Sequence, residues 1–461
     1  MVGEYDHREA LFGIPPYGGS IEQKVIYTTE DLCSPPSDAT KWHPPFILLI
    51  DRGGCSFVQK VRNAQHAGAA AAVIADNACQ CKHTDKCSSA LECELHEPIM
   101  ADDGSGFDIT IPSVLMFKQD ADPVKDALIQ GSPVRMELGW SLPNPDDHVE
   151  WDLWTHPLDY AATSFKLEFK ETAVALKGRA EMTPHEYFYD GLESGCINQD
   201  TKENMCGNMC TNQGRYCAND PYGDQNFGIS GADVVSEGAR RACIWDIYGK
   251  DDGVGEEWWD YIREFEANCD TADLFMKDSC IKEISETVGV DFDLVEQCLY
   301  QNGGLTDDQE NKILQNELDA KAKAGIVVLP VVHVNGVPIR GGLEFPTVFK
   351  AICAGFKSGT EPDVCLECSS CSDAKNCVDQ GFCLDPVHGH NGIEVSTFVE
   401  SMIALSIVFM IAGTIVYIRQ RAEMRDEIRG IMDEYMPVDI NNQKNFDTAL
   451  SQDDEDQGTF T

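Results

Sequence analysis

The twenty cysteines of this 461-residue chain all lie between Cys33 and Cys383, and none occurs in the last 78 residues. A reduced cytosolic protein has no reason to partition its thiols in this way, whereas an oxidising lumen followed by a cytosolic tail does. The partition therefore calls for a membrane between the two regions. Residues 401–418, SMIALSIVFMIAGTIVYI, carry no charge. They sit at the short end of the roughly 20 apolar residues that a spanning helix needs, and Phe398 and Val399 extend the span to 397–418 if Glu400 snorkels. A buried core helix is the competing reading of the same run. Arg419 and Arg421 follow at once, while Glu394 and Glu400 flank the other end. By the positive-inside rule the C-terminal side is cytosolic, a single-pass type I arrangement. That topology requires an N-terminal signal segment, and MVGEYDHREALFGIPPYGG has no apolar core of that kind. The expectation is that an upstream segment precedes this start.

Lys+Arg 35 against Asp+Glu 78 gives a net charge of −43, which argues against nucleic-acid binding, because phosphate contacts need clustered Lys and Arg. No partner of that class is expected.

Residues 46–140 read as an α/β module. FILLID is a continuous apolar run suited to a strand covered on both faces. After Gly53-Gly54, the stretch SFVQKVRNAQHAGA places Phe57, Val61, Ala64 and Gly68 on one helical face. AAAVIAD, IPSVLMF and VRMELGW supply further strands, with a short helix at DPVKDALIQG. The set FGIPPYGG, LLIDRGGCSF, AQHAGAAAAVIADN and IPSVL resembles a protease-associated (PA) domain, which implies a peptide-engaging module without catalysis of its own. Within it, the insert around Cys79, Cys81, Cys87 and Cys93 reads as two disulfides in a loop rather than a zinc site, since its spacing lacks paired C-x2-C arms.

Residues 146–360 are richer in helical patterns, at VVSEGARRACIWDIYG, WWDYIREFEANC, LFMKDSCIKEISETVG, DFDLVEQCLYQ and TDDQENKILQNELDAKAKA. The last should open on a Thr306-x-x-Gln309 capping box. GIVVLPVVHVNGVPIRGG then reads as a strand, an Asn335-Gly336 hairpin and a second strand. A proline inside that apolar run, at Leu329-Pro330-Val331, resembles the proline loop of thioredoxin-like folds. A thiol oxidoreductase would need C-x-x-C opening a helix. The strand-to-helix junction expected near EMTPHEYFYDGLESGC offers only Cys196. Cys206 and Cys210 are spaced C-x3-C, and the true C-x-x-C pairs, Cys365/Cys368 and Cys368/Cys371, follow the whole fold. The scaffold reads as redox-inactive, with a lumenal thiol-disulfide oxidoreductase or folding factor as the alternative function. Residues 361–393 hold five cysteines, Cys365, Cys368, Cys371, Cys377 and Cys383, so one must pair elsewhere or stay free. A disulfide-stapled stalk is expected there, with zinc at CLECSSC as the other possibility.

The tail, 419–461, carries a net charge of −6 and the tetrapeptide Tyr435-Met436-Pro437-Val438. In extended form its phenol and aliphatic side chain suit two pockets of a binding partner, while a helix-ending turn at Pro437 is the plainer reading.

Taken as a whole, the chain resembles the vacuolar-sorting receptors of plants and algae, in the order of its parts and in specific stretches. These include PDDHVEWDLWT at 145–155, CTNQGRYCANDP at 210–221, GADVVSEGARRAC at 231–243, LPVVHVNGVPIRGGLE at 329–344 and EIRGIMDEYMPVD at 427–439. The resemblance implies a multidomain α/β architecture: a PA domain over 1–145, a cysteine-rich thioredoxin-like domain over 146–360, a reduced epidermal-growth-factor-like stalk over 361–393, a transmembrane helix over 397–418 and a cytosolic tail. It implies a non-enzymatic receptor of the Golgi, trans-Golgi network and prevacuolar compartments, which binds sorting peptides of soluble cargo proteins. The family's cargo loop falls on Arg52, Gly53, Gly54, Cys55, Ser56 and Phe57, with Cys55 anchored by a disulfide to Cys33. The family's clathrin-adaptor motif falls on Tyr435 through Val438. Gly54 stands where the family has a loop acid, and Val438 where it has leucine. No D-x-[DN]-E-x-C signature remains, so no cofactor is expected and calcium dependence does not carry over. Cargo release in acid is expected to involve His66, His83 and His96, which charge below about pH 6.5.

Overall fold

The computed structural model of the chain describes Tyr5 and residues 7–77, 99–198, 200–201, 203–223, 227–368, 371 and 373–381, with isolated positions between 410 and 424. One compact unit spans Met1–Asp385 and a second spans Pro386–Thr461. The expected span at 397–418, the tail tetrapeptide 435–438, Cys383 and the insert cysteines Cys79, Cys81, Cys87 and Cys93 lie outside the described residues or touch them only at isolated positions. Among the described residues no helix is long and apolar enough to cross a membrane.

The first domain is a six-stranded sheet. Its strands are β1 (His7–Glu9), β2 (Ser20–Thr28), β3 (Phe46–Asp51), β4 (Ala69–Ala75), β5 (Ser113–Met116) and β6 (Arg135–Gly139), in the order β1-β5-β4-β3-β2-β6. β2 through β5 run parallel, and β1 and β6 close the edges antiparallel. Helix α1 (Phe57–His66) covers one face and α2 (Lys118–Ile129) the other. FILLID divides between them: Phe46, Leu48 and Ile50 join the cluster under α1, and Ile47 and Leu49 join the cluster under α2. A strand buried on both faces has no polar side to alternate with, which is why it reads as an unbroken apolar run.

The second domain is built on a four-stranded sheet. Its strands are β7 (Val149–Thr155), β8 (Ala180–Glu186), β12 (Val331–Val334) and β13 (Val337–Pro338), ordered β13-β12-β7-β8. β7 and β8 are parallel, and β12 runs antiparallel to β7. Short helices α3 (Thr163–Glu168) and α4 (Lys170–Ala175) connect β7 to β8. A small three-stranded sheet, β9 (Tyr189–Asp190), β10 (Cys210–Thr211) and β11 (Tyr216–Cys217), follows. Next come helices α5 (Gly231–Ile244), α6 (Glu256–Asn268), α7 (Asp278–Val288), α8 (Phe292–Gln301) and α9 (Lys312–Ala324). Their apolar faces and α10 (Phe345–Ala354) share one core with the sheet, centred on the fully buried Trp151, Trp258 and Trp259. Asn335 and Gly336 turn β12 into β13 with φ of +49° and +76°, the left-handed pair that a tight hairpin requires. The Leu329–Pro330 peptide is cis.

Two expectations need correction. The helix ending at Ala324 does not open on Thr306 and Gln309. It starts at Lys312, capped by Asn311, whose side chain accepts from the N–H groups of Ile313 and Leu314. The segment before it is held as a loop because the Asn212 amide donates to the carbonyls of Gly304, Asp307 and Gln309, consuming the groups a helix would use. Residues 363–381 are not a free stalk: α11 (Asp363–Cys368) and α12 (Ala374–Gln380) add Cys365, Cys368, Cys377 and Val378 to the core of the second domain. The odd cysteine of that group is accounted for, since Cys365 bonds Cys353 of α10.

The two domains are joined by stretches that the sequence shows separately. The Tyr17 hydroxyl of FGIPPYGG donates to the Arg340 carbonyl at 3.2 Å and accepts from the Arg340 N–H. The N–H groups of Gly341 and Gly342 donate to the carbonyls of Ala10 and Gly13, each at 2.9 Å. Burial pushes the Tyr17 phenol above its ordinary range, so it stays a neutral donor. Gly341 has φ of +93°, and a Cβ there would lie 2.4 Å from Pro15 Cδ. Gly341→Ala is expected to lower the unfolding free energy by on the order of 2 kcal/mol and to speed amide exchange across residues 10–18. Unchanged exchange there would show that the joint tolerates a side chain.

Candidate functional site

The parallel strands of the first domain end together, and ligands of open α/β sheets gather at such carboxyl ends. Residues 52–56 leave β3 at that edge, flanked by the chain after β2 and by Asp76 and Asn77 after β4. The Arg52 N–H donates to the Ala75 carbonyl at 2.9 Å, and the Asn77 amide donates to the Arg52 carbonyl at 2.6 Å. Nη1 of Arg52 donates to both carboxylate oxygens of Asp76, at 3.2 and 3.1 Å. Asp76 is fully buried, whereas the Arg52 side chain keeps 21% of its exposure. The Arg52 guanidinium also lies 5.9 Å from the centre of the Phe57 ring. The guanidinium is therefore held in place by one nitrogen, and its Nε and Nη2 make no hydrogen bond among the described residues. That leaves it half of the fork expected of it for peptide carbonyls or carboxylates.

The rest of the loop is shaped by two glycines, a disulfide and a helix start. Gly53 and Gly54 have φ of +113° and +85°, which glycine alone adopts readily. Cys33 and Cys55 are bonded, with Cα atoms 5.6 Å apart. Ser56 caps α1, accepting from the Gln59 N–H. Burial pushes the Lys60 ammonium below its ordinary range, and it donates to the Asp31 carbonyl. Hydrogen bonds from Ser105 and then Ser56 hold the Asp103 carboxyl below the usual carboxylate range.

Asp31 is a site residue that sequence reasoning passed over. A Cβ on Gly54 would lie 2.9 Å from Cys33 Sγ and 3.4 Å from an Asp31 carboxylate oxygen. The place where a loop acid would project is thus bordered by a carboxylate from another strand end. The only available signal was the disulfide to Cys33, two residues along. His66, expected to contribute pH dependence, is exposed at the far end of α1. At 1.5 Å per residue, that is about 14 Å from the loop. His83 and His96 lie outside the described residues.

The second domain also needs a correction. The strand-to-helix junction that shares a cleft with the Leu329–Pro330 loop is 156–163, between β7 and α3, rather than the stretch around Cys196. β7 (VEWDLWT) and β8 (AEMTPHE) mix charges with large apolar residues, so no clean strand pattern marks them in the sequence. Residues 156–163 contain no cysteine. His156 is there, but burial first, and then the positive potentials of Lys166 and Arg241, push it down to about 4. Cys196 is bonded to Cys206 and Cys210 to Cys217, and no described cysteine is free.

Replacing Asp76 by Asn is expected to release Arg52. Stability should fall by on the order of 2 kcal/mol, with faster amide exchange over residues 52–57. An unchanged loop would mean that the backbone alone sets it.

Against known proteins, residues 149–353 match the vacuolar sorting receptor thioredoxin-like domain and residues 21–124 match the PA domain. Vacuolar-sorting receptor 1 of Pisum sativum is 34% identical over 394 residues, 79% of this chain and 59% of that protein. Vacuolar-sorting receptor 4 of Arabidopsis thaliana is 34% identical over 410 residues, 82% of this chain and 61% of that protein. The chain thus spans about three-fifths of the length of these relatives. A shorter likeness, 49% over 76 residues, covers 16% of this chain and 14% of a receptor homology region, transmembrane domain- and RING domain-containing protein of Oryza sativa subsp. japonica. A PA domain followed by the thioredoxin-like domain of vacuolar sorting receptors makes this chain a relative of the vacuolar-sorting receptors over most of its length.

Proposed function

We propose that the chain is a type I membrane sorting receptor whose loop Arg52–Phe57 binds sorting peptides of soluble vacuolar or lysosomal cargo in the Golgi lumen. The observation that carries this reading is the loop itself. A guanidinium fixed on a buried carboxylate, two left-handed glycines and a disulfide present polar main chain at the carboxyl edge of a sheet, with two guanidinium nitrogens that make no hydrogen bond among the described residues. Such a surface suits an extended peptide, whose carbonyls and carboxylates the guanidinium can meet. Residues 397–418 anchor the receptor, and Tyr435, Met436, Pro437 and Val438 recruit clathrin adaptors from the cytosolic side. Its compartments are the Golgi, the trans-Golgi network and the prevacuolar endosome.

The oxidoreductase alternative predicts that the protein reduces or oxidises a model disulfide. It would have to do so without a cysteine at 156–163, which weighs against it.

The test is peptide binding by the full chain in detergent at pH 7. Arg52→Ala is expected to weaken binding of a sorting peptide at least 10-fold, about 1.4 kcal/mol or more, with the disulfides intact. Binding insensitive to Arg52 would move the site off this loop.

A further inference from the structure

Away from the Arg52 loop, cysteines of the second domain gather their sulfurs at one point. Cys196 is bonded to Cys206 and Cys210 to Cys217, and the Sγ atoms of Cys196, Cys210 and Cys217 all lie within 4.8 Å of one another. Two disulfides therefore stand side by side, meeting at Cys196. They are not equally reachable. Cys206 is half-buried, whereas Cys196, Cys210 and Cys217 are 1%, 8% and 0% exposed.

The main chain holds this arrangement independently of the sulfurs. Cys210 and Cys217 face each other on the antiparallel strands β10 and β11. The Cys196 N–H donates to the Gly191 carbonyl at 2.7 Å, and the Cys196 carbonyl accepts from the Met205 N–H at 2.7 Å. The Gly191 N–H donates to the Arg215 carbonyl, in the turn between β10 and β11, at 2.8 Å. Gly191 has no room for a side chain: a Cβ there would lie 1.9 Å from the Gly214 oxygen and 2.7 Å from Cys217 Sγ. Breaking the Cys196–Cys206 bond thus leaves Cys196 where it is, beside the second disulfide. A thiolate attacks a neighbouring disulfide sulfur and displaces its partner. An anion among the cysteines, Tyr189 and Met209 of this cluster is poorly solvated, which favours its consumption. Cys217 Sγ lies 3.6 Å from the Gly214 carbonyl oxygen, so a thiol at Cys217 has an acceptor in place for its S–H. That singles out Cys217 as the leaving sulfur and Cys210 as the sulfur attacked.

We propose that the two disulfides form a thiol-responsive switch. A small external thiol, RSH, attacks the Cys206 sulfur as its thiolate and forms RS–Cys206, and Cys196 leaves as a thiolate. Cys196 then attacks Cys210 Sγ, which makes a Cys196–Cys210 bond and breaks Cys210–Cys217. Cys217 leaves and takes up the proton that the external thiol gave to solvent. Two disulfides and one thiol enter, and two disulfides and one thiol remain, so RSH is the only co-reactant. One thiol is consumed per chain with no return step, which separates this exchange from the turnover of an oxidoreductase. The hairpin gains a tie to the turn that begins at Gly191, and the residues just before Cys206 lose theirs.

The test treats the full chain in detergent with reduced glutathione at pH 7 and stops exchange with acid. Free thiols are then alkylated with N-ethylmaleimide after unfolding in guanidinium. Mass spectrometry of the peptides is expected to find glutathione on Cys206 and a Cys196–Cys210 bond. Alkylation should be about 10-fold higher on Cys217 than on Cys196, and amide exchange should speed up over residues 203–206. In Cys206→Ser the external thiol is no longer required, and the alkylated residue should again be Cys217. Alkylation of Cys196 with Cys210–Cys217 intact, in either protein, would overturn the proposal. So would a Cys196–Cys217 bond with Cys210 alkylated, or two disulfides that glutathione leaves untouched. Near-UV circular dichroism reports whether Cys206→Ser keeps its fold, and if it does not, the glutathione result on the unaltered chain decides. Arg52→Ala should change none of these outcomes, so the switch and the peptide-binding loop stand or fall separately.

Discussion

The hydrogen bonds that Tyr17 makes with both peptide groups of Arg340, together with those from Gly341 and Gly342 to Ala10 and Gly13, tie the two domains into one unit. Their geometry needs a backbone free of side chains at Gly341 and a buried neutral phenol opposite. Tyr17 also packs against the core of the second domain, which adds apolar contact to this joint. The joint sets the cleft between the loop at Asp102–Phe107 and the loop at Val328–Pro330.

The second domain keeps the sheet of a thioredoxin-like fold while its cysteines do other work. Among the described residues they are bonded in pairs that staple helices and small strands, such as Cys243 to Cys298 and Cys269 to Cys280. The junction facing the proline loop holds a neutral histidine instead of a thiol.

Much of this was legible in the sequence where burial is two-sided or a turn needs one residue type. FILLID, AAAVIAD and the Asn335-Gly336 hairpin were read directly, because continuous burial and left-handed φ leave marks on composition. VEWDLWT and AEMTPHE were not recognised as strands. Each mixes charges with large apolar residues, and their pairing depends on β12 from far along the chain. The same blindness placed the strand-to-helix junction on the wrong element. The false capping box at Thr306 failed for a related reason: Asn212, ninety residues upstream, takes the carbonyls that the helix would have needed. At the candidate loop, Arg52 to Phe57 form one contiguous stretch, which the family resemblance singles out. Asp31 and Asp76 come from neighbouring strand ends, and no local pattern announces a residue that matters only across a sheet.

The central claim is that cargo peptides are held at the carboxyl edge of the first sheet, around Arg52. A sorting peptide carrying a photoreactive benzophenone, bound to the full chain in detergent and then irradiated, would locate its contacts by mass spectrometry. The account predicts attachment within residues 31–33, 52–57 and 76–77. Attachment confined to the helices of the second domain, with the loop unmarked, would contradict it.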